Sequence, residues 1–486
     1  MDSLRKHIRS QQFVINAWDL TAAFTNIPYM FFFKNSDKCT DFMPSDRLRT
    51  SFIRAVQEFP ILVGNVTVDR SGRGMVNVDA ANLNMPEYLE SYSQMNFNDI
   101  ERNRFSWSSL ADKVHTVDST PAPGSTGVIK LVNVHIVRLI DNSGIIVFLS
   151  IPHYVVDGVG YCAFVNRWAE ICRSMGGNTN GAVTRSYSFD RSIVDRCMPP
   201  EKLPLNTRMR KIYNSPSYLG HLIALPSPEL RGTLLAHTIR LMDPVSHVFH
   251  ISSASLAKLR AHIQTQAPAT QRISDNDILT TLISHVVCSG IEDAANRSQG
   301  YFNAATQHIA STLMGATNDF LTMVVLDIRS RFKNLAHYVG NCVTCIPVVS
   351  PISELSNKQM SAHDLAKVCA NVRTEVNATN PRALSKLHSL LSQTPASYAH
   401  VMANMLKTPK SVVISNQSRF ALYSNDFGNG IPTWVGTIPI FYANFASICP
   451  VHPDSDGYNI YITVKKSTMD EILQNPQWNE YVSVVY

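Results

Sequence analysis

Along the chain, apolar positions fall into two rhythms that alternate, a three-to-four spacing and short continuous runs. From Ser45 to Phe59 the first rhythm sets Leu48, Phe52, Val56 and Phe59 on one face of a predicted helix. Ser45 is placed to cap its first turn, and Pro60 ends it. The runs Val132 to Ile140 and Ile145 to Ile151 flank Asn142-Ser143-Gly144 and predict a β-hairpin, after which helical spacing resumes from Val159 to Arg173. The rhythm lapses between Gly176 and about Pro244, where Gly-Gly-Asn-Thr-Asn-Gly, Met198-Pro199-Pro200, Pro226 and Pro228 predict a long crossover. A second half then repeats the first: strand His247 to Ile251, helix Ser253 to His262, helix Asn276 to Cys288 behind the capping pair Ser274-Asp275, and strand Met323 to Ile328. The pattern implies a mixed α/β chain with domains over residues 1–175 and 246–486, a connection over 176–245, and a ligand cleft between the halves.

Composition narrows the class. The 486 residues, 45% hydrophobic and 16% charged, describe a globular chain with a large core. The N-terminus is polar, and no run approaches the roughly eighteen apolar residues of a membrane span, so a soluble cytoplasmic protein is expected. Nine cysteines, an odd number, argue for reduced thiols over a disulfide framework, and the sequons at Asn65, Asn296, Asn377 and Asn416 are then expected to be silent. Cys342-Val343-Thr344-Cys345 lies in the apolar run Val339 to Val349; on a strand, residues three apart face opposite sides, so the pair is read as core thiols and no metal site is expected. Net charge is +6, but Lys and Arg are scattered, which argues against a nucleic-acid surface and suits an anionic small ligand.

Candidate chemistry concentrates where the predicted hairpin ends, in Ile151 to Tyr161, I-P-H-Y-V-V-D-G-V-G-Y. A histidine at a strand end sits on a rigid element, and an ordinary imidazole pKa of about 6.5 lets it take and return a proton near neutrality. The glycine after Asp157 allows the tight turn into the next helix. No G-x-S-x-G elbow supplies a nucleophile, so His153 is expected to activate a substrate hydroxyl or amine directly.

His153 to Gly158 resembles the H-x-x-x-D-G signature of the acyl-CoA-dependent BAHD acyltransferases, and Tyr423 to Pro432, Y-S-N-D-F-G-N-G-I-P, resembles that family's Y-x-x-D-F-G-W-G-x-P. Phe249 to Ser252 with Leu256 to Leu259, Ile273 to Leu279, and Leu326 to Arg331 followed by Tyr338 to Asn341 agree in order, so the likeness covers most of the chain. The resemblance, closest in style to fungal members, implies two chloramphenicol-acetyltransferase-like domains with a channel at their interface. It implies no resident cofactor, acyl-CoA as co-substrate and a small-molecule alcohol or amine as acceptor, with no membrane or nucleic-acid partner and a monomeric state. His153 would be the base, donors nearby would hold the oxyanion, and Asp157 would turn away to pair with Arg329 or Arg331, with Gly158, Asp426, Gly428 and Gly430 shaping the site. For the charged end of CoA the motif matches imply Ser274, Ser415 and Arg419, although Ser274 also reads as a helix cap and Arg419 as a surface charge. Two family tryptophans are replaced, by Asn429 and Gln417, which puts the rigidity of the D-F-G loop and one pocket wall in question. Condensation domains share the fold but carry H-H-x-x-x-D-G, and here Pro152 holds the first position; a non-catalytic metabolite binder is the other alternative, and the intact His153 to Gly158 segment weighs against it.

Overall fold

The computed structural model describes residues 2–20, 26–68, 74–110, 129–177, 186–201, 243–267, 272–298, 318–393, 410–440 and 444–486. In chain order the strands are β1 (Gln11–Ile15), β2 (Asn26–Lys34), β3 (Asn65–Val68), β4 (Gly74–Val78), β5 (Glu87–Ser93), β6 (Asn133–Leu139), β7 (Gly144–Pro152), β8 (Pro244–Ile251), β9 (Asp319–Asp327), β10 (Val343–Pro351), β11 (Ser411–Asn416), β12 (Trp434–Thr437), β13 (Phe445–Cys449), β14 (Tyr458–Lys465) and β15 (Ser483–Val484). They form a five-stranded sheet in the order β12-β2-β7-β6-β5, a seven-stranded sheet in the order β10-β9-β11-β13-β14-β8-β15, and a small sheet β1-β4-β3.

The predicted hairpin forms as β6 and β7, paired antiparallel with Asn133 opposite Ser150. Every residue of β7 is buried, because both faces of its sheet are covered. Ile145, Val147, Leu149 and Ile151 face the core built with helices Ser45–Glu58 and Gly158–Met175, while Ile146 and Phe148 face a second cluster around Phe97, Ile100 and Phe105. That two-sided burial explains a continuous apolar run in place of alternation. β12 comes from the second half yet completes the first sheet, pairing Trp434 to Thr437 with Phe32 to Tyr29.

Several expectations need correction. The helix Ser45–Glu58 forms, but its N-cap is Pro44 without a side-chain cap, and Ser45 Oγ donates instead to Glu90 Oε1 at 2.6 Å. The helix expected over Asn276 to Cys288 runs from Asp275 to Ser298. By length and composition it could cross a membrane, and 72% of its most apolar window is buried inside the protein, as befits a core helix of the second half. The run from Val339 becomes a strand only at Val343, because the backbone before it is engaged by side chains of the first half, the Cys342 amide donating to Asp157 Oδ2 at 3.0 Å. All nine cysteines are free thiols. Most of the crossover, 202–242, lies outside the described residues. Its described start, helix Ser192–Cys197, packs Val194 and Met198 against Trp18 of the first half and Ile328, Leu335 and Tyr338 of the second.

Candidate active site

β7 ends at Pro152, and its rigid sheet delivers His153 into a cleft enclosing about 1520 Å³ of empty space, part of it open to solvent. Tyr29, His153 and Gly158 line it from the first half; Val325, Thr344, Ser415, Gln417 and Tyr461 line it from the second. His153 Nδ1 lies 2.8 Å from Asn341 Oδ1. The amide of Asn341 cannot be turned round: its Nδ2 donates to the His153 carbonyl at 2.5 Å and to Asp19 Oδ1 at 3.2 Å, two acceptors that take both hydrogens. Oδ1 therefore accepts, Nδ1 carries the proton, and Nε2 keeps its lone pair. Asp19 is fully buried and ion-paired to Arg191, whose other terminal nitrogen donates to the Val155 carbonyl. Burial pushes the Asp19 carboxyl up from the ordinary range, and the Arg191 guanidinium opposes the shift.

Asp157 faces away from this chemistry. It is fully buried, and its Oδ1 caps the helix Gly158–Met175 by accepting from Val159 N and Gly160 N, both at 3.1 Å. Of the two arginines that the sequence left open, Arg329 is its partner, with Nη1 to Oδ2 at 2.6 Å and Nη2 to Oδ1 at 2.9 Å. The remaining Arg329 donors go to the Tyr338 carbonyl, the Gly340 carbonyl and Asp327 Oδ1, so all five N–H groups are engaged. Arg331 instead donates to the Val376 carbonyl at 3.3 Å. Gly158 leaves room for an aromatic ring: a Cβ there would stand 2.3 Å from Phe420 Cζ.

The D-F-G loop is stitched to the first half. Asp426 Oδ1 accepts from Gly428 N at 2.7 Å and Gly430 N at 3.0 Å, and both glycines adopt positive φ, +106° and +95°. Asn429, where family members carry tryptophan, accepts from Met43 N at 3.2 Å and Arg47 Nη2 at 3.0 Å, so polar contacts hold the loop in place of a ring. Gln417 likewise acquires a polar task. Its Oε1 accepts from the Tyr29 hydroxyl at 2.7 Å, and its Nε2 faces Ser415 Oγ at 3.3 Å. Burial raises the Tyr29 pKa well above its usual value, which keeps that hydroxyl a donor.

Of the three residues expected at CoA, Ser415 lines the cleft on β11, whereas Ser274 and the exposed Arg419 are not among its lining residues. Ser274 forms a capping box: its Oγ accepts from Asp277 N at 3.3 Å and donates to Asp277 Oδ2 at 2.8 Å, which also takes Ser274 N, and Arg373 donates to Ser274 Oγ at 2.5 Å. The start of this helix still stands beside the cleft wall, since Asn276 Oδ1 accepts from Asn416 Nδ2 at 2.8 Å. Asp19 and Tyr29 escaped the sequence reading, and Asn341 was visible only as the last letter of Y-V-G-N. Among the described residues no group of three or more His, Cys, Asp or Glu is arranged to hold a metal ion.

Two α/β halves around a cleft with one histidine in it form the architecture of the two-domain acyltransferases. TRI101 of F. sporotrichioides, solved with coenzyme A and T-2, superposes with a TM-score of 0.72 at 14% identity, covering 98% of this chain and 100% of that one. The Transferase family profile matches residues 5–218 and 303–478, and the chain belongs to that family, the BAHD acyltransferases. Phenolic glucoside malonyltransferase 1 and a BAHD acyltransferase, both of Arabidopsis thaliana, are each 21% identical over 69% of this chain, which spans 66% of the length of either relative.

Proposed function

We propose that the protein transfers an acyl group from a coenzyme A thioester to a hydroxyl or amine of a small metabolite, with His153 as general base and no covalent acyl-enzyme. The carrying observation is the 2.8 Å contact of His153 Nδ1 with Asn341 Oδ1: because the Asn341 amide is oriented by its own two acceptors, this contact assigns the proton to Nδ1 and leaves the Nε2 lone pair for the acceptor. The acceptor oxygen or nitrogen loses its proton to Nε2 as it attacks the thioester carbonyl. The tetrahedral intermediate then collapses, breaking the carbon–sulfur bond, and the imidazolium returns the proton to the departing thiolate. The Ser415 hydroxyl and the Gln417 amide, both on the cleft wall, are the donors this reading assigns to the oxyanion. Cys345 also lines the cleft, but enclosure pushes its thiol pKa up to about 12, so it stays protonated and is a poor nucleophile. Release of free CoA from acetyl-CoA, followed with a thiol reagent across a panel of small alcohols and amines, tests the reading. Acceptor-dependent release that His153→Ala abolishes supports it; turnover only from a carrier-protein thioester would sink it.

A further inference from the structure

We infer that the acyl group this cleft accepts is uncharged, so that the donor is a neutral acyl-CoA and not a dicarboxylic one such as malonyl-CoA. The inference rests on the acyl-CoA reading above and concerns the charge of the transferred group. Among the described residues that line the cleft there is no lysine or arginine, and the only carboxylate is Asp327. The reacting carbonyl has to lie beside His153, and one methylene separates a malonyl carboxylate from that carbonyl, so the charge sits among the cleft walls while the thioester reacts. Inside the cleft it would need a partner, because a desolvated carboxylate without one is strongly disfavoured.

Among the described residues, each cation near His153 is already engaged. The guanidinium of Arg329, next to Asp327 in space, has its five N–H groups on Asp157, Asp327 and two backbone carbonyls. Arg191, behind His153, is 5% exposed and bonded to Asp19 and the Val155 carbonyl. Protonated His153 could pair with the carboxylate, but pairing would tie up the Nε2 lone pair that the acceptor needs. Asp327, with a side chain 43% exposed, adds like-charge repulsion. A neutral acyl group meets none of these penalties, and apolar walls such as Val325, Val413, Ile438 and Phe445 suit it. The malonyltransferase named among the relatives therefore does not set the donor for this chain.

Calorimetric titration of the full chain with CoA, acetyl-CoA and malonyl-CoA, at matched salt, tests the inference. CoA measures the contribution common to both thioesters. Acetyl-CoA is expected to bind at least tenfold more tightly than malonyl-CoA, and Asp327→Asn, which keeps an acceptor for Arg329, is expected to narrow that gap by tightening malonyl-CoA alone. Equal affinity for the two thioesters overturns the uncharged-donor inference while leaving acyl-CoA use intact. Failure of CoA and both thioesters to bind overturns the acyl-CoA reading and this inference with it.

Discussion

At the scale of single residues, His153 depends on a neighbour that its own stretch of sequence does not reveal. Removing the imidazole in His153→Ala is expected to lower kcat by about a hundredfold to ten-thousandfold with acyl-CoA affinity near wild type, the size of a general-base contribution; steady-state kinetics beside direct binding checks it. Asn341→Leu keeps the base and removes its orientation, so kcat should fall by at least about tenfold, since a misplacement of about 1 Å can cost about a hundredfold. The pH profile should change too, because Nδ1 loses its fixed acceptor; a merely structural Asn341 would leave that profile in place. His153 was legible because its motif is local. Asn341 is 188 residues away and Asp19 lies 322 residues from Asn341, and no periodicity links positions so far apart. Thiol chemistry offers a third check. With Cys345 and Cys449 both pushed up to about 12 by burial, iodoacetamide at neutral pH should leave activity intact, as measured by residual rate against alkylated mass.

At the scale of elements, the turn from β7 into the helix Gly158–Met175 is where both halves meet. Asp157 accepts five hydrogen bonds there, two from its own helix and three from the second half. Breaking one side of a buried ion pair costs roughly 3–5 kcal/mol, so Asp157→Asn and Asp157→Ala should lower the melting temperature together with the rate. An inactive Asp157→Asn with unchanged melting temperature would point to direct chemistry instead. Near the helix Asp275–Ser298 the expected outcomes divide. Ser274→Ala removes a cap and should cost about 1 kcal/mol of stability by denaturant titration. Arg419 is exposed next to the cleft-lining Phe420; if the charged end of CoA reaches it, Arg419→Glu raises the acyl-CoA KM several-fold at low salt, with the effect shrinking as salt screens it over about 8–10 Å, and an unchanged KM removes Arg419 from the CoA site. Elements were legible wherever one pattern filled a window, as in the β6–β7 pair and the helices that follow it. The start of Ser45–Glu58 misled because Ser45, a good cap by type, is drawn to Glu90 and Arg138 of the neighbouring sheet. β12 left no signal: four residues with Gly436 among them, and Pro432 and Pro439 two positions beyond either end, carry too little alternation, and pairing with β2 is decided by tertiary contacts.

At the scale of the whole molecule, the halves are similar in build but not separable. β12 of the second half completes the first sheet, Asn429 ties the D-F-G loop to Met43 and Arg47, and Asp157–Arg329 and Asp19–Asn341 cross between the halves inside the core. One cooperative unfolding transition is therefore expected, with fluorescence and circular dichroism coincident along a denaturant series. The late origin of β12 also sets a clock. A ribosome completes β7 at Pro152 and reaches Thr437 nearly three hundred residues afterwards. At synthesis rates of about 5–20 residues per second that interval lasts about 15 s to 1 min, and throughout it the strand that pairs with Tyr29–Phe32 of β2 has not yet been made. An unpaired apolar edge invites pairing with other chains, so the yield of this protein in a cell should depend on what shields that edge during translation.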